Sequence, residues 1–146
     1  DLELCYSPLY STAKDPVNVA ALVGLNLLYN EFKQVPVYKT RELVESKAMI
    51  IDVREPDELK NGHIVNAINI PLSQLRERIY EIPKDKPVYL HCRSSQRSYN
   101  ACRALQNEGY NNVYNMSGSF LGISLYEYFN DKTLNREPIL TKYNFR

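Results

Sequence analysis

A chain of 146 residues with 44% hydrophobic content holds enough apolar material for one domain with a sizeable core and an appendage, but not for two complete domains. Its formal net charge of +1, with acids and bases scattered along the sequence, offers no electrostatic footprint for nucleic acid or an anionic membrane, so anion binding has to be local. Three cysteines at positions 5, 92 and 102 are an odd number without CxxC or His-rich spacing, which speaks against a metal centre and for a reducing cytoplasm.

The sequence begins at Asp1 in mid-pattern, and the expectation is a piece of something longer. Residues 1–35 hold a Tyr/Pro/Ser-rich irregular stretch and then one helix, expected over 16–32, with Asp15 as N-cap and Pro16 in the first turn. Val17, Val19, Ala20, Ala21, Leu22, Val23, Leu25, Leu27 and Leu28 make that helix apolar nearly all round, which predicts burial on most sides. Asn18 and Asn26 interrupt the run, which is shorter than the ~20 residues a bilayer needs, so packing against protein is expected.

From about residue 36 the rhythm changes. "AMIIDV" (48–53), "AINI" (67–70), "PVYLHC" (87–92) and "VYNM" (113–116) read as buried strands, with helical segments expected in "SQLRERIYEI" and "SSQRSYNACRALQNEG". In the second segment Ser98, Ala101, Cys102 and Leu105 fall on one helical stripe, so Cys102 reads as core. Alternation of strand and helix implies an α/β fold with a mostly parallel sheet and helices on both faces, ligands sitting beyond the carboxyl ends of the strands.

Cys92 falls at such an end. The chain should turn through Arg93 and Ser94 and start a helix near Ser95, which points backbone N–H groups at the sulfur; a helix N-terminus carries roughly half a positive charge. Arg93 and Arg97 are expected to add full charges and to favour a nucleophilic thiolate. Asp52 and Arg54 follow a strand into the same crevice, where they either orient the loop or form a structural ion pair. His63 is expected to tie a turn to backbone.

These stretches resemble the rhodanese sulfurtransferases over about residues 36–130. "DVREPDEL" (52–59) resembles the family's Asp-Val-Arg-x-x-x-Glu box, "GHIVNAINIP" (62–71) its Gly-His-Ile box, "YLHCRSSQRS" (89–98) its active-site loop, and "VYNMSGS" (113–119) the strand before its paired glycines. The resemblance implies a rhodanese-like, five-stranded domain over 36–146, including a C-terminal tail, in which Cys92 carries a sulfane sulfur as a persulfide. Arg93, Ser94, Ser95, Gln96, Arg97 and Ser98 would cradle it. Ser95 stands where many members of the family have glycine and Ser119 where the second of the paired glycines is expected; glycine there often permits a positive φ or close backbone approach, so the resemblance leaves loop geometry and substrate preference open.

The first 35 residues resemble the end of the dimerisation domain, with its linker helix, of flavin- and pyridine-nucleotide-dependent disulfide reductases of the coenzyme A-disulfide reductase and NADH oxidase branch. Tyr6, Pro8, Tyr10, Ser11, Ala13, Lys14, Asp15, Pro16 and Asn18 carry that likeness. It implies a parent protein using FAD, NAD(P)H and coenzyme A, with Tyr6 and Tyr10 near a partner subunit's active site and homodimer formation through this region. No GxGxxG follows a strand, so this piece is expected to bind neither flavin nor nicotinamide. Small sulfane-sulfur donors and thiol acceptors, either coenzyme A or a protein cysteine, are the expected partners. A phosphatase is the competing enzyme, but four residues separate Cys92 from Arg97, one fewer than a phosphate-enclosing loop needs. A non-catalytic rhodanese-like module is the other alternative, against which the retention of Cys92 speaks.

Overall fold

The computed structural model describes residues 16–29 and 32–145. The chain divides into two units, 1–33 and 34–146. In the first, α1 spans Pro16–Leu28, ending a turn earlier than the apolar pattern suggests. Against the expected burial, Val17, Ala20, Ala21, Leu22, Leu25 and Leu28 are exposed, while the side chains of Val19, Val23 and Leu27 lie outside those described. Apolar composition specifies that such a helix gains from a covering surface, but does not say which surface that is.

The second unit is built on a five-stranded, wholly parallel sheet in the order β1-β5-β4-β2-β3. Its strands are β1 (Gln34–Val35), β2 (Met49–Asp52), β3 (Ile68–Asn69), β4 (Val88–His91) and β5 (Val113–Met116). Among them run α2 (Thr40–Glu45), α3 (Pro56–Leu59), α4 (Gln96–Asn107) and α5 (Ser119–Leu134). The five-stranded α/β architecture is the one expected. Strand β1 lies within the stretch that reads as helix and linker; two residues are too few to leave a periodic signal.

Alternation along β2 divides the core in two. Ile51 joins Val88, Leu90, Cys92, Ala101, Cys102, Leu105 and Val113 on one face of the sheet, while Ile50 joins Ile64, Met116, Phe120, Ile123 and Leu140 on the other. The α4 stripe is buried at all four expected positions, Ser98, Ala101, Cys102 and Leu105.

One expected helix is absent. "SQLRERIYEI" instead forms tight 3₁₀ turns at Leu72–Gln74 and Ile79–Glu81. The segment is bracketed by Pro71 and Pro83, and its apolar pairs Leu72/Leu75 and Ile79/Ile82 are three residues apart, the spacing that a three-residue turn brings into line.

The two short sequence boxes form one structure. Arg54 donates from Nη2 to the Gly62 carbonyl at 2.9 Å while gripping both oxygens of Asp52. Gly62 has φ +112, and a Cβ there would overlap the Lys142 carbonyl of the C-terminal tail, so the position excludes every side chain. His63 ties this corner down as expected, its Nδ1 lying 3.4 Å from the Leu59 carbonyl and 3.2 Å from the Thr141 hydroxyl.

Candidate active site

Strand β4 lies between β5 and β2, so its carboxyl end is flanked by theirs. The chain leaves β4 at His91, places Cys92 in a buried position, turns through Arg93 and Ser94, and enters α4 with Ser95 as N-cap. Helix α5 begins beside this turn. Its first amides donate into the loop, Phe120 N–H to the Cys92 carbonyl and Leu121 N–H to the Arg93 carbonyl, both at 3.0 Å. The loop's carbonyls are thereby held by α5, and its amides are left to face the sulfur.

Burial alone would push the Cys92 thiol upward. It is outweighed by the Ser98 hydroxyl and amide, the Ser94 amide and the Ser119 hydroxyl, which together hold the thiol below the ordinary cysteine value. The Ser98 Oγ lies 3.5 Å from Sγ and the Ser119 Oγ 3.9 Å. The amide part of the sequence expectation is therefore met, and hydroxyls join it.

The arginine part is narrower than expected. Arg97 turns to α3 and clamps Glu58 bidentately, with Nη1···Oε2 at 2.6 Å and Nη2···Oε1 at 2.8 Å. That pairing lowers the Glu58 carboxyl and is the largest influence raising the Arg97 guanidinium, which also interacts, more weakly, with the charge of Cys92. Arg93 and Gln96 are exposed at the rim, as is the Ser94 side chain. Glu58, the last residue of the "DVREPDE" box, is a site residue that the sequence reading misses; its position in that box is the available signal.

Asp52 and Arg54 resolve as a buried ion pair, with Nη2···Oδ2 at 2.6 Å and both side chains almost wholly excluded from solvent. Parallel register sets Asp52 beside His91 on β4, with Oδ2 3.7 Å from Nε2. Burial, the largest influence, drives the His91 ring below its usual value, so it is neutral at pH 7. The guanidinium of Arg54 also lies 4.2 Å from the Phe120 ring centroid. This pair supports the floor beneath the loop and the first turn of α5. Cys102, on the inward stripe of α4, is pushed up to about 12 by burial, which suits a core thiol. Cys5, Tyr6, Tyr10 and Asp15 lie outside the described residues.

Ser95 and Ser119 both adopt the left-handed conformation of the glycines they replace, at φ +75 and φ +47. Positive φ is therefore reached here without glycine, and the side chains add polar atoms inside the loop. The Ser95 hydroxyl donates to the Met116 carbonyl or to the Ser119 Oγ, each at 3.2 Å.

A parallel sheet that delivers a buried thiol into a ring of donors at a helix start defines a class of domain. Residues 37–125 match the model of the rhodanese-like domain, and the chain belongs to that family. Among its relatives is the uncharacterized protein YqhL of Bacillus subtilis, 54% identical over 74 residues, which cover 51% of this chain and 59% of that protein. Similarity to the thiosulfate sulfurtransferase GlpE of Pseudomonas syringae is 30% over 90 residues, 62% of this chain and 85% of GlpE. Two solved structures each align with 82% of the chain: the reduced CoADR-RHD of Bacillus anthracis, at 44% identity and TM-score 0.75, and a NAD-dependent persulfide reductase from A. fulgidus, at 35% and 0.67. The chain spans only 21% of the length of either of those two.

Proposed function

We propose that this chain is a sulfurtransferase unit that forms a persulfide on Cys92 and passes the sulfur to a thiol. The observation that carries the reading is the convergence of the Ser94 and Ser98 amides and the Ser98 and Ser119 hydroxyls on one sulfur. Such a site favours an anion on sulfur through neutral donors.

The reaction divides into two displacements. With thiosulfate as donor, the Cys92 thiolate attacks the outer sulfur, the bond between the donor's sulfurs breaks, and sulfite leaves with the electron pair. An acceptor thiolate then attacks the sulfur held on Cys92 and carries it away. In both steps thiolate fraction and leaving-group pKa govern the rate. The loop amides keep the bound persulfide anionic and oriented toward the mouth.

The parent is read as a flavin-dependent reductase of coenzyme A persulfides, polysulfides or disulfides, with coenzyme A or a reductase cysteine as acceptor. The alignment with CoADR-RHD and with a persulfide reductase extends beyond the rhodanese-like match, and the resemblance of residues 1–35 supports it independently. FAD and NAD(P)H belong to the rest of that parent. Gly24, Gly62, Gly109, Gly118 and Gly122 are this chain's five glycines, and no two are spaced as GxG, so the residues present do not fit the phosphate-binding turn of a dinucleotide site.

Phosphate chemistry is disfavoured, because Arg97 is engaged by Glu58 and the loop is short. Mass spectrometry after exposure to thiosulfate, and separately to coenzyme A persulfide, should show one added sulfur on Cys92, removed by cyanide and absent in Cys92→Ala. Equal labelling of Cys102 would overturn the assignment.

A further inference from the structure

A non-glycine residue in the left-handed region is strained, and here two such residues face one another directly beneath the nucleophile. The chain uses glycine elsewhere for the same conformation, at Gly118 with φ +71, immediately before Ser119. Strain retained beside a reactive sulfur is grounds for asking what the extra side-chain atoms do.

A hydroxyl has one proton to give and two lone pairs to fill. The Ser119 Oγ accepts from the Cys92 amide at 3.1 Å and, when the Ser95 hydroxyl turns from the Met116 carbonyl, from that hydroxyl at 3.2 Å, which leaves its own proton to point elsewhere. Three acceptors are in reach, the Met116 carbonyl at 3.3 Å, the Ser98 Oγ at 3.4 Å and the Cys92 Sγ at 3.9 Å. Ser98 faces a similar choice, among the Ser95 carbonyl at 3.2 Å, the Ser119 Oγ at 3.4 Å and Sγ at 3.5 Å. A thiolate draws both protons to itself, since hydrogen bonds to a charged acceptor are the stronger ones. Once Cys92 carries a second sulfur, the charge sits on the outer atom and the inner sulfur is a neutral disulfide-like sulfur. The two protons then return to the carbonyls.

We propose that Ser119, with Ser95 feeding it and Ser98 beside it, is a charge-following hydroxyl that stabilises the emptied Cys92 sulfur over the loaded one and so promotes release of sulfur to the acceptor. In that step the acceptor thiolate forms a bond to the outer sulfur, the bond between that sulfur and Sγ breaks, and its electron pair returns to Sγ, where the hydroxyls receive it. The acceptor departs as a persulfide, and a better-stabilised leaving thiolate leaves faster. The ionisable groups around the sulfur have their hydrogen bonds committed to other partners, so Arg97 reaches Cys92 by charge alone. Arg97 of α4 is held by Glu58 of α3, Asp52 and Arg54 after β2 hold each other, and His91 of β4 sets Nδ1 against the Cys92 carbonyl. This inference rests on the sulfurtransferase reading and assigns Ser119 to its second half-reaction.

Ser119→Gly is the informative variant, because glycine tolerates the positive φ and removes only the hydroxymethyl group. The pH midpoint of Cys92 alkylation by iodoacetamide should rise by about one unit. Transfer from preloaded Cys92 persulfide to coenzyme A should slow roughly threefold at neutral pH. Ser95→Gly should move both readouts the same way by less. A Ser119→Gly protein that remains folded by circular dichroism with midpoint and transfer rate unchanged overturns the proposal. If that variant does not fold, Ser98→Ala takes its place, with the same upward shift expected and an unchanged midpoint overturning it. Absence of any sulfur adduct on the wild type would instead strike at the sulfurtransferase reading, while the alkylation midpoint still reports on the hydroxyl.

Discussion

Cys92 and Cys102 are equally hidden from solvent, one at the end of β4 and one on the inward stripe of α4, yet their chemistry is opposite. Burial acts on both in the same direction, against the thiolate. At Cys102 nothing opposes it and the thiol is pushed up to about 12. At Cys92 amides and hydroxyls reverse it. The difference lies in where the backbone stops being self-satisfied. Within a helix every amide serves its own helix, whereas at a strand-to-helix turn the first amides are free to serve a neighbouring sulfur.

The largest expected contrast is in labelling. At pH 7 a thiol held at about 12 is roughly 10⁵-fold short of thiolate, so iodoacetamide should modify Cys92 in the folded chain and reach Cys102 only after denaturation. Peptide mapping after brief alkylation checks this; prompt modification of Cys102 in the native chain would erase the distinction.

A smaller contrast is in stability against pH, where the two thiols have opposite signs. Cys102 is raised in the folded state, so its contribution is full below the unfolded value of ~8.5 and is lost as pH climbs from there toward about 12. Cys92 is lowered, so its contribution is present above ~8.5 and is lost as pH falls through its folded value. Urea denaturation from pH 7 to pH 10 should therefore show Cys102→Ala less stable than the wild type at the low end and closing the gap at the high end. Cys92→Ala should show the reverse trend. Parallel curves for all three proteins would rule out a linkage between either thiol and folding.

The smallest effect expected is that of Arg97→Ala on the Cys92 midpoint. With its guanidinium matched to Glu58 and the pair partly open to solvent, its loss should move the midpoint by no more than ~0.3 units, less than loss of the Ser98 hydroxyl. A full-unit shift would restore the arginine as the activating group and make charge, rather than neutral donors, the difference between the two thiols.

Much of this is legible in the sequence where the signal is local. The apolar pattern places β2 within 48–53 and the strand is found at Met49–Asp52, β5 falls on the expected residues, and all four stripe positions of α4 are buried. The placement of Cys92 at a strand end before a helix follows from the same patterns. What is not legible depends on residues far apart in the chain. Glu58 meets Arg97 because α3 and the loop share one end of the sheet, and Ser119 meets Cys92 because the crossover through α4 returns β5 beside β4. The 72–82 segment misleads because apolar spacing of three and four residues suits a helix and a chain of tight turns alike.

The two edges of the sheet, β1 at Gln34–Val35 and β3 at Ile68–Asn69, are only two residues long. A foreign strand laid alongside either would find too short a row of peptide groups to extend, so the sheet is a poor template for amyloid-like growth or strand swapping. Shortened borders let a parallel core sit among other chains without recruiting them through their main chains.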